Sequence, residues 1–310
     1  ERGEGFSSVA ARLEDAGLVP SAWRFRILGR LTRADRSVRA GTYTITPGTT
    51  PRTLLDDFVA GRVRTLRVTV PEGWRLPRIA EEMERVLEVP ADAFLRKAAD
   101  PDRLAALEIP AEAMPNPNLE GYLFPETYHF PDGATAGEVI DQMTDRFLDV
   151  WDSLPPDTAR GMTRHEIVTL ASIVEAEAAR EEEKPRIAAV YLNRLEIGWR
   201  LQADPTVRYG LDYFTGRLYY KHLDIDTPYN SYRNDGLPPG PIGAPGRASL
   251  LAVLEPLEPC DDLFFVASGD GWHTFTRTAA EHVRAKNEAR RNRNRSAGQD
   301  TVAPEGDSEQ

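Results

Sequence analysis

Apolar positions along this chain recur mostly at helical spacing, broken by a few short stretches that alternate as strands do. Val9, Leu13 and Leu18 share one side of a short helix expected over residues 5–18. Residues 40–46 alternate as a strand, and Pro47 with Gly48 turns the chain. Thr50 followed by Pro51 supplies an N-cap and a first-turn proline. The helix they open has Leu54, Leu55, Phe58 and Val59 as its buried stripe and Gly61 as its stop. A second strand is expected over residues 66–70, so the N-terminal part reads as a small strand–helix–strand unit.

Helical patterns continue over residues 77–87 and 91–99. Thr135 with Glu138, Thr163 with Glu166 and Thr278 with Glu281 have the spacing of capping boxes, each opening a further helix. The helix after Thr163 is expected to end near residue 179, and Pro185 starts another with Ile187, Val190, Tyr191 and Leu195 inward and Gly198 as its stop. Residues 211–247 are rich in Tyr, Pro, Gly and Asp and read as a long structured loop of the kind that carries function. Residues 263–267 and 272–275 read as a hairpin turning through Ser268, Gly269, Asp270 and Gly271. The division expected from these signals is residues 1–70, residues 71–290 and a disordered polar tail over residues 291–310.

Composition narrows the function classes. With 310 residues and 41% hydrophobic side chains the chain can fill a real core. Its formal net charge of -11, from 38 basic and 49 acidic residues, argues against a general nucleic-acid surface, which would be basic. Cys260 is the only cysteine, so no intrachain disulfide can form. No apolar run approaches the roughly 18–20 residues that span a bilayer. The chain opens at Glu1 rather than Met, which leaves room for a signal or anchor upstream. His129, His165, His222, His273 and His282 lack metal-ligand spacing, and no cofactor is expected. Ser172 lacks a nucleophile-elbow context and reads as packing, there is no glycine-rich phosphate loop, and the acidic run Glu181, Glu182, Glu183 reads as a solvated bend.

The helix starting near residue 164 is the richest in possible chemistry. At about 100° per residue, Ile167, Leu170, Ala171, Val174 and Ala178 gather on one face. Glu175 lies roughly 80° to one side of that face and Glu177 roughly 80° to the other. Partial burial at such boundary positions raises a carboxyl pKa by disfavouring its charged form. Periodicity nominates both glutamates as acids and does not choose between them; solvated or ion-paired flank residues would show the same spacing.

The blocks around this helix carry a resemblance. Ala171, Ser172, Ile173, Val174 and Glu175 are followed by residues 187–195, then by 198–210, which contain Gln202, Asp204, Pro205 and Thr206. Residues 228–233 (Pro, Tyr, Asn, Ser, Tyr, Arg) and 236–242 (Gly, Leu, Pro, Pro, Gly, Pro, Ile) come next, with residues 119–128 upstream and 264–276 downstream. In this order and spacing the blocks resemble the endolytic murein transglycosylases, the YceG-like family, over residues 5–287. The resemblance implies an α+β fold, with a small LysM-like N-terminal subdomain that contacts glycan and a larger mixed α/β catalytic domain. It implies cleavage of the MurNAc–GlcNAc bond of nascent peptidoglycan strands with 1,6-anhydro ends, which limits strand length. Carried over by position, the catalytic acid falls on Glu175, with Asn193, Gln202, Asp204, Thr206, Tyr229, Asn230 and Tyr232 as substrate-binding groups. Glycan strands and wall-synthesis enzymes are the implied partners. The implied location is the outer side of the bacterial cytoplasmic membrane, reached through an N-terminal anchor helix upstream of this sequence. The family pattern has Lys, Glu and Thr where Ala176, Glu177 and Ala178 stand, and Asn where Ala244 stands. A non-catalytic glycan-binding scaffold and a hydrolytic muramidase are the rival readings.

Overall fold

The computed structural model describes residues 3–155, 160–212, 216 and 218–299, with side chains as far as Asn292. Among the described residues the chain is α+β, about half helical with two small sheets, and forms two compact units. The smaller unit comprises Glu1–Thr69, Ala80–Phe94 and Thr127–Val139; the larger comprises Val70–Ile79, Leu95–Glu126 and Ile140–Gln310.

In the smaller unit, α1 (Phe6–Asp15), α2 (Ala22–Leu31) and α3 (Pro51–Ala60) enclose a core of Ala10, Leu13, Val19, Phe25, Leu54, Leu55 and Phe58. The Thr50 hydroxyl accepts the Thr53 N–H at 3.1 Å, and Gly61, with φ of 67°, ends α3 in the left-handed conformation a glycine adopts without strain. Two expectations change here. Residues 40–46 are extended but join no ladder; the Arg64 N–H donates to the Thr42 carbonyl at 2.7 Å. The strand β1 (Thr65–Thr69) instead pairs antiparallel with β2 (Thr127–Pro131), Arg67 opposite His129. Of the expected strand–helix–strand unit, the helix and the second strand are present, and the partner strand comes from far along the chain. The helix α2 was not signalled, because its sequence buries only Phe25 and Gly29 and leaves Trp23 and Leu31 exposed.

The chain continues through α4 (Leu76–Leu87), α5 (Ala91–Ala98), α6 (Pro101–Ala106) and α7 (Ala136–Asp152). In the larger unit α8 (Arg164–Glu177) is opened by the expected capping box: Thr163 accepts the Glu166 N–H while Glu166 accepts the Thr163 N–H. It packs against α9 (Lys184–Glu196), α10 (Asp204–Gly210) and, beyond the short α11 (Tyr220–Leu223), α12 (Arg247–Leu254). Burial on α8 is not confined to one stripe: His165 and every residue from 167 to 174 is buried. The helix is therefore central, and its two glutamates are partly exposed because it ends beside them, not because they border an apolar face.

The hairpin β3 (Phe264–Ala267) and β4 (His273–Thr276) sets Phe265 opposite Phe275, and α13 (Ala279–Gln299) follows with Glu281 accepting the Thr278 N–H at 3.0 Å. This last helix carries on to Gln299, through the first part of the stretch expected to be a disordered tail; residues 300–310 lie outside the described residues. The acidic run after α8 is also corrected. Glu183 is buried, and its carboxylate accepts the His273 N–H and contacts His273 Nδ1, both at 2.8 Å.

Candidate active site

The two glutamates at the end of α8 sit in different chemistry. Glu175 is surrounded by donors: Lys184 Nζ lies 3.1 and 3.2 Å from its two oxygens, the Gly246 N–H donates at 3.1 Å and the Ser249 hydroxyl at 2.6 Å. The side chains of Lys184 and Glu175 are only 4% and 10% exposed. The lone pairs of this carboxylate are thus taken up by the first turns of α9 and α12. Glu72, with an oxygen 3.6 Å from Lys184 Nζ, completes the cluster, and its pKa is pushed up by burial and then by the charge of Glu175. A Cβ at position 246 would fall 1.8 Å from Glu72 Oε1, so any other residue there would displace the Glu72 carboxylate. The backbone is pinned as well, the Gly73 N–H donating to Ala244 and the Ala244 N–H to Trp74, each at 2.8 Å. Position 244 works through its main chain, which is why alanine serves there.

Glu177 lies on the opposite side of the same turn. Tyr191, 1% exposed, donates its hydroxyl to Glu177 Oε1 at 2.9 Å. Burial pushes the Glu177 carboxyl up to about 7; the Tyr191 hydrogen bond and Arg194 oppose the shift, and the charge of Asp204 adds to it. Its place at the carbonyl end of α8 disfavours a negative charge in the same sense. Burial raises the Tyr191 phenol well above its usual value, so the hydroxyl stays protonated and remains a donor. Arg194 is held by the carbonyls of Leu263 and Leu201. Asp204 in turn accepts the Tyr232 hydroxyl at 2.7 Å. A carboxyl that gains and loses a proton near neutrality has the property a general acid–base requires.

The other sequence candidates divide. Asp204 and Tyr232 join the Glu177 network. Gln202 is exposed in a left-handed backbone conformation, φ 51°, two residues before Asp204. Asn193 spends its amide on the carbonyls of Cys260 and Asp262. Thr206 bonds the Ala203 carbonyl and the Ser231 hydroxyl, and Asn230, fully buried, ties the carbonyls of Leu223 and Ile225 to the Tyr232 N–H. Tyr229 packs against Tyr209 with ring centroids 4.6 Å apart and ring planes tilted by 46°. Thr206 and Asn230 brace the segments that carry Asp204 and Tyr232, while Asn193 ties α9 to the segment before β3.

Sequence reasoning did not single out Lys184, Ser249 or Gly246, and it read Tyr191 only as an inward helix residue; no spacing rule connects any of them to α8. Glu120 was also missed as a titrating group. It is 2% exposed, accepts the Leu76 N–H at 2.8 Å and the Tyr209 hydroxyl at 3.4 Å, and burial pushes it up to about 7. Its bond to the first residue of α4 makes it a helix-start brace. Among the described residues no cluster of three or more His, Cys, Asp or Glu is placed to hold a metal ion.

The fold and the Glu177 network define an α+β protein with a carboxyl raised to about 7 at the end of its central helix. The chain belongs to the YceG-like family, whose pattern matches residues 1–288. It is 33% identical over 298 residues to the endolytic murein transglycosylase of Bacillus subtilis (strain 168), covering 92% of this chain and 82% of that one. The protein of the same description from Streptococcus pneumoniae (strain ATCC BAA-255 / R6) is 28% identical; the match covers 92% of this chain and spans 58% of that longer protein. The crystal structure of a yceG-like protein from Listeria monocytogenes superposes with a TM-score of 0.63 at 31% identity, over 92% of this chain and 96% of that one.

Proposed function

We propose that this chain is a lytic transglycosylase of peptidoglycan that cuts the MurNAc–GlcNAc bond endolytically, with Glu177 as its acid and base. The observation that carries this reading is a carboxyl with a pKa of about 7 in a chain whose relatives are named endolytic murein transglycosylases. Protonated Glu177 gives its proton to the glycosidic oxygen as the bond to C1 of the muramyl sugar breaks. The same carboxylate then takes the proton of that sugar's 6-hydroxyl as its oxygen bonds to C1. The products are a free GlcNAc 4-hydroxyl and a 1,6-anhydro muramyl end, with no water consumed, so one carboxyl suffices where most glycosidases use two. The negative charge of Asp204 favours the cationic character that develops at C1. Glu175, to which the family resemblance alone assigned the acid, is the rival. Lys184, the Gly246 N–H and the Ser249 hydroxyl engage its oxygens, whereas burial raises the Glu177 carboxyl to about 7, which is the reason for preferring Glu177.

Incubation with isolated peptidoglycan and mass spectrometry of the ends tests the reaction. Anhydro-muramyl ends are expected; reducing ends would mean that water is the nucleophile, and an absence of products would leave a glycan-binding scaffold. Limitation of strand length, glycan contact by the N-terminal unit, action outside the cytoplasmic membrane and work alongside wall-synthesis enzymes form the wider proposal, which rests on the family resemblance; the relatives' descriptions reach as far as endolytic murein transglycosylase. Among the described residues no helix is long and apolar enough to cross a membrane.

Tyr191 gives the assignment a second handle. Its hydroxyl favours the ionised form of Glu177, so Tyr191→Phe moves the carboxyl above its value of about 7. The alkaline limb of the pH–rate profile, which follows loss of the acid's proton, is expected to move to higher pH by about one unit, with a modest fall in the maximal rate. An unmoved limb would separate Tyr191 from the acid.

A further inference from the structure

A groove of about 570 Å³ lies beside the Glu177 network, lined by Arg200, Tyr220, Leu223, Asp224, Tyr232 and Arg233. Tyr232 belongs to both places: its ring lines the groove, and its hydroxyl reaches Asp204, whose charge acts on Glu177. The walls are tied together. Arg200 donates from Nε to Asp235 at 2.8 Å and from Nη1 to the Tyr232 carbonyl at 3.2 Å, and Arg233 donates from Nη1 to the Asp224 carbonyl at 2.9 Å. These bonds fix both guanidinium groups and leave Nη2 of each without a described partner. In a protein of net charge -11, the groove sets two fixed guanidiniums against the carboxylates of Asp224 and Asp235, so it offers both signs of charge.

The lining does not suit a bare sugar chain. Glycan rings are read by aromatic faces and neutral hydrogen bonds, and Tyr220 and Tyr232 provide such faces. Two arginines with one aspartate call for a ligand that carries carboxylates together with an amino group. Planar guanidiniums match carboxylates through paired hydrogen bonds, and the Asp224 side chain, which also lines the groove, matches an ammonium. In peptidoglycan that chemistry belongs to the peptide stem on the lactyl group of the muramyl sugar, with its free carboxylates and its diamino acid.

We propose that this groove is a subsite for the peptide stem, placed so that a muramyl residue whose stem lies against Arg200 and Arg233 presents its C1 bond to the acid. The proposal rests on the lytic transglycosylase reading, since it is that reading which puts a muramyl unit beside Glu177.

The experiment titrates a soluble N-acetylmuramyl peptide into the whole chain by calorimetry, and repeats the titration with the stem carboxylates amidated. Binding is expected for the free acid, about tenfold weaker for the amidated ligand, and similarly weaker for the free acid with Arg200→Gln/Arg233→Gln. The amidated ligand needs no change to the protein, so the result does not depend on how the variant folds. No binding of the free acid, or equal affinity for both ligands, overturns the subsite. Cleavage separates this from failure of the wider reading. Wild-type protein is expected to prefer stem-bearing strands over strands stripped by an amidase, and the double variant to lose most of that preference. Cleavage of both strands at one rate removes the subsite and keeps the enzyme; stem binding without cleavage of either strand removes the enzyme and keeps the subsite.

Discussion

Glu177→Gln is expected to lose cleavage of isolated peptidoglycan by roughly 10²- to 10⁴-fold, the usual contribution of a positioned acid–base, while the protein stays folded. Glutamine keeps the Tyr191 hydrogen bond as an acceptor but has no proton to deliver. The same substitution carries a stability signature that an uninvolved surface glutamate would not show. The folded pKa of Glu177 lies at about 7, above its ordinary 4.5, so its contribution to stability is full below 4.5 and is lost as pH rises through about 7. Glutamine escapes that loss. The thermal midpoint of Glu177→Gln is therefore expected to exceed that of the wild type at pH 8 and to match it at pH 4. Glu175→Gln is the informative control: it should keep measurable turnover and lose stability. Abolished turnover in Glu175→Gln with activity retained in Glu177→Gln would return the acid to Glu175.

Lys184→Met should produce the largest loss of stability. It leaves Glu175, 10% exposed, without its cation while the neutral donors of Gly246 and Ser249 remain. Removing one partner of a buried ion pair destabilises by about 3–5 kcal/mol, mostly through the charge left behind. Urea unfolding followed by circular dichroism measures it. Lys184→Met/Glu175→Gln should recover much of the loss, because the stranded charge goes with it. A single variant that unfolds at the wild-type midpoint would show that the cluster is not a structural lock.

Local signals in the sequence translated well. The Thr163–Glu166 pair opened its helix where expected, the 264–276 hairpin formed, and Thr278 with Glu281 opened the last helix. Each of these depends on residues within a few positions of one another. The partner of β1 was out of reach, since its pairing with residues 127–131 is set by tertiary packing, and residues 40–46 show that an alternating pattern without a partner does not make a strand. The helix α12 was hidden for a different reason: it follows a run of Pro and Gly, and its buried face has too little polar contrast to show a period. For the site, helical geometry correctly placed Glu175 and Glu177 on opposite flanks. What distinguishes them comes from elsewhere, Lys184, Gly246 and Ser249 on one side and Tyr191 with Asp204 on the other. No reading of α8 alone contains that information.

The two glutamates are also separated by a single residue, Ala176, at the end of one helix, where the final main-chain bond runs from Ala178 to Val174. Whatever holds one of them in place therefore sets the aim of the other. On the proposed reading, the lysine, the serine and the glycine around Glu175 are then more than ordinary interior residues. A substitution there is expected to reach the chemistry at Glu177 through the shared turn as well as the stability of the cluster, which writes a functional constraint into positions outside the Glu177 network.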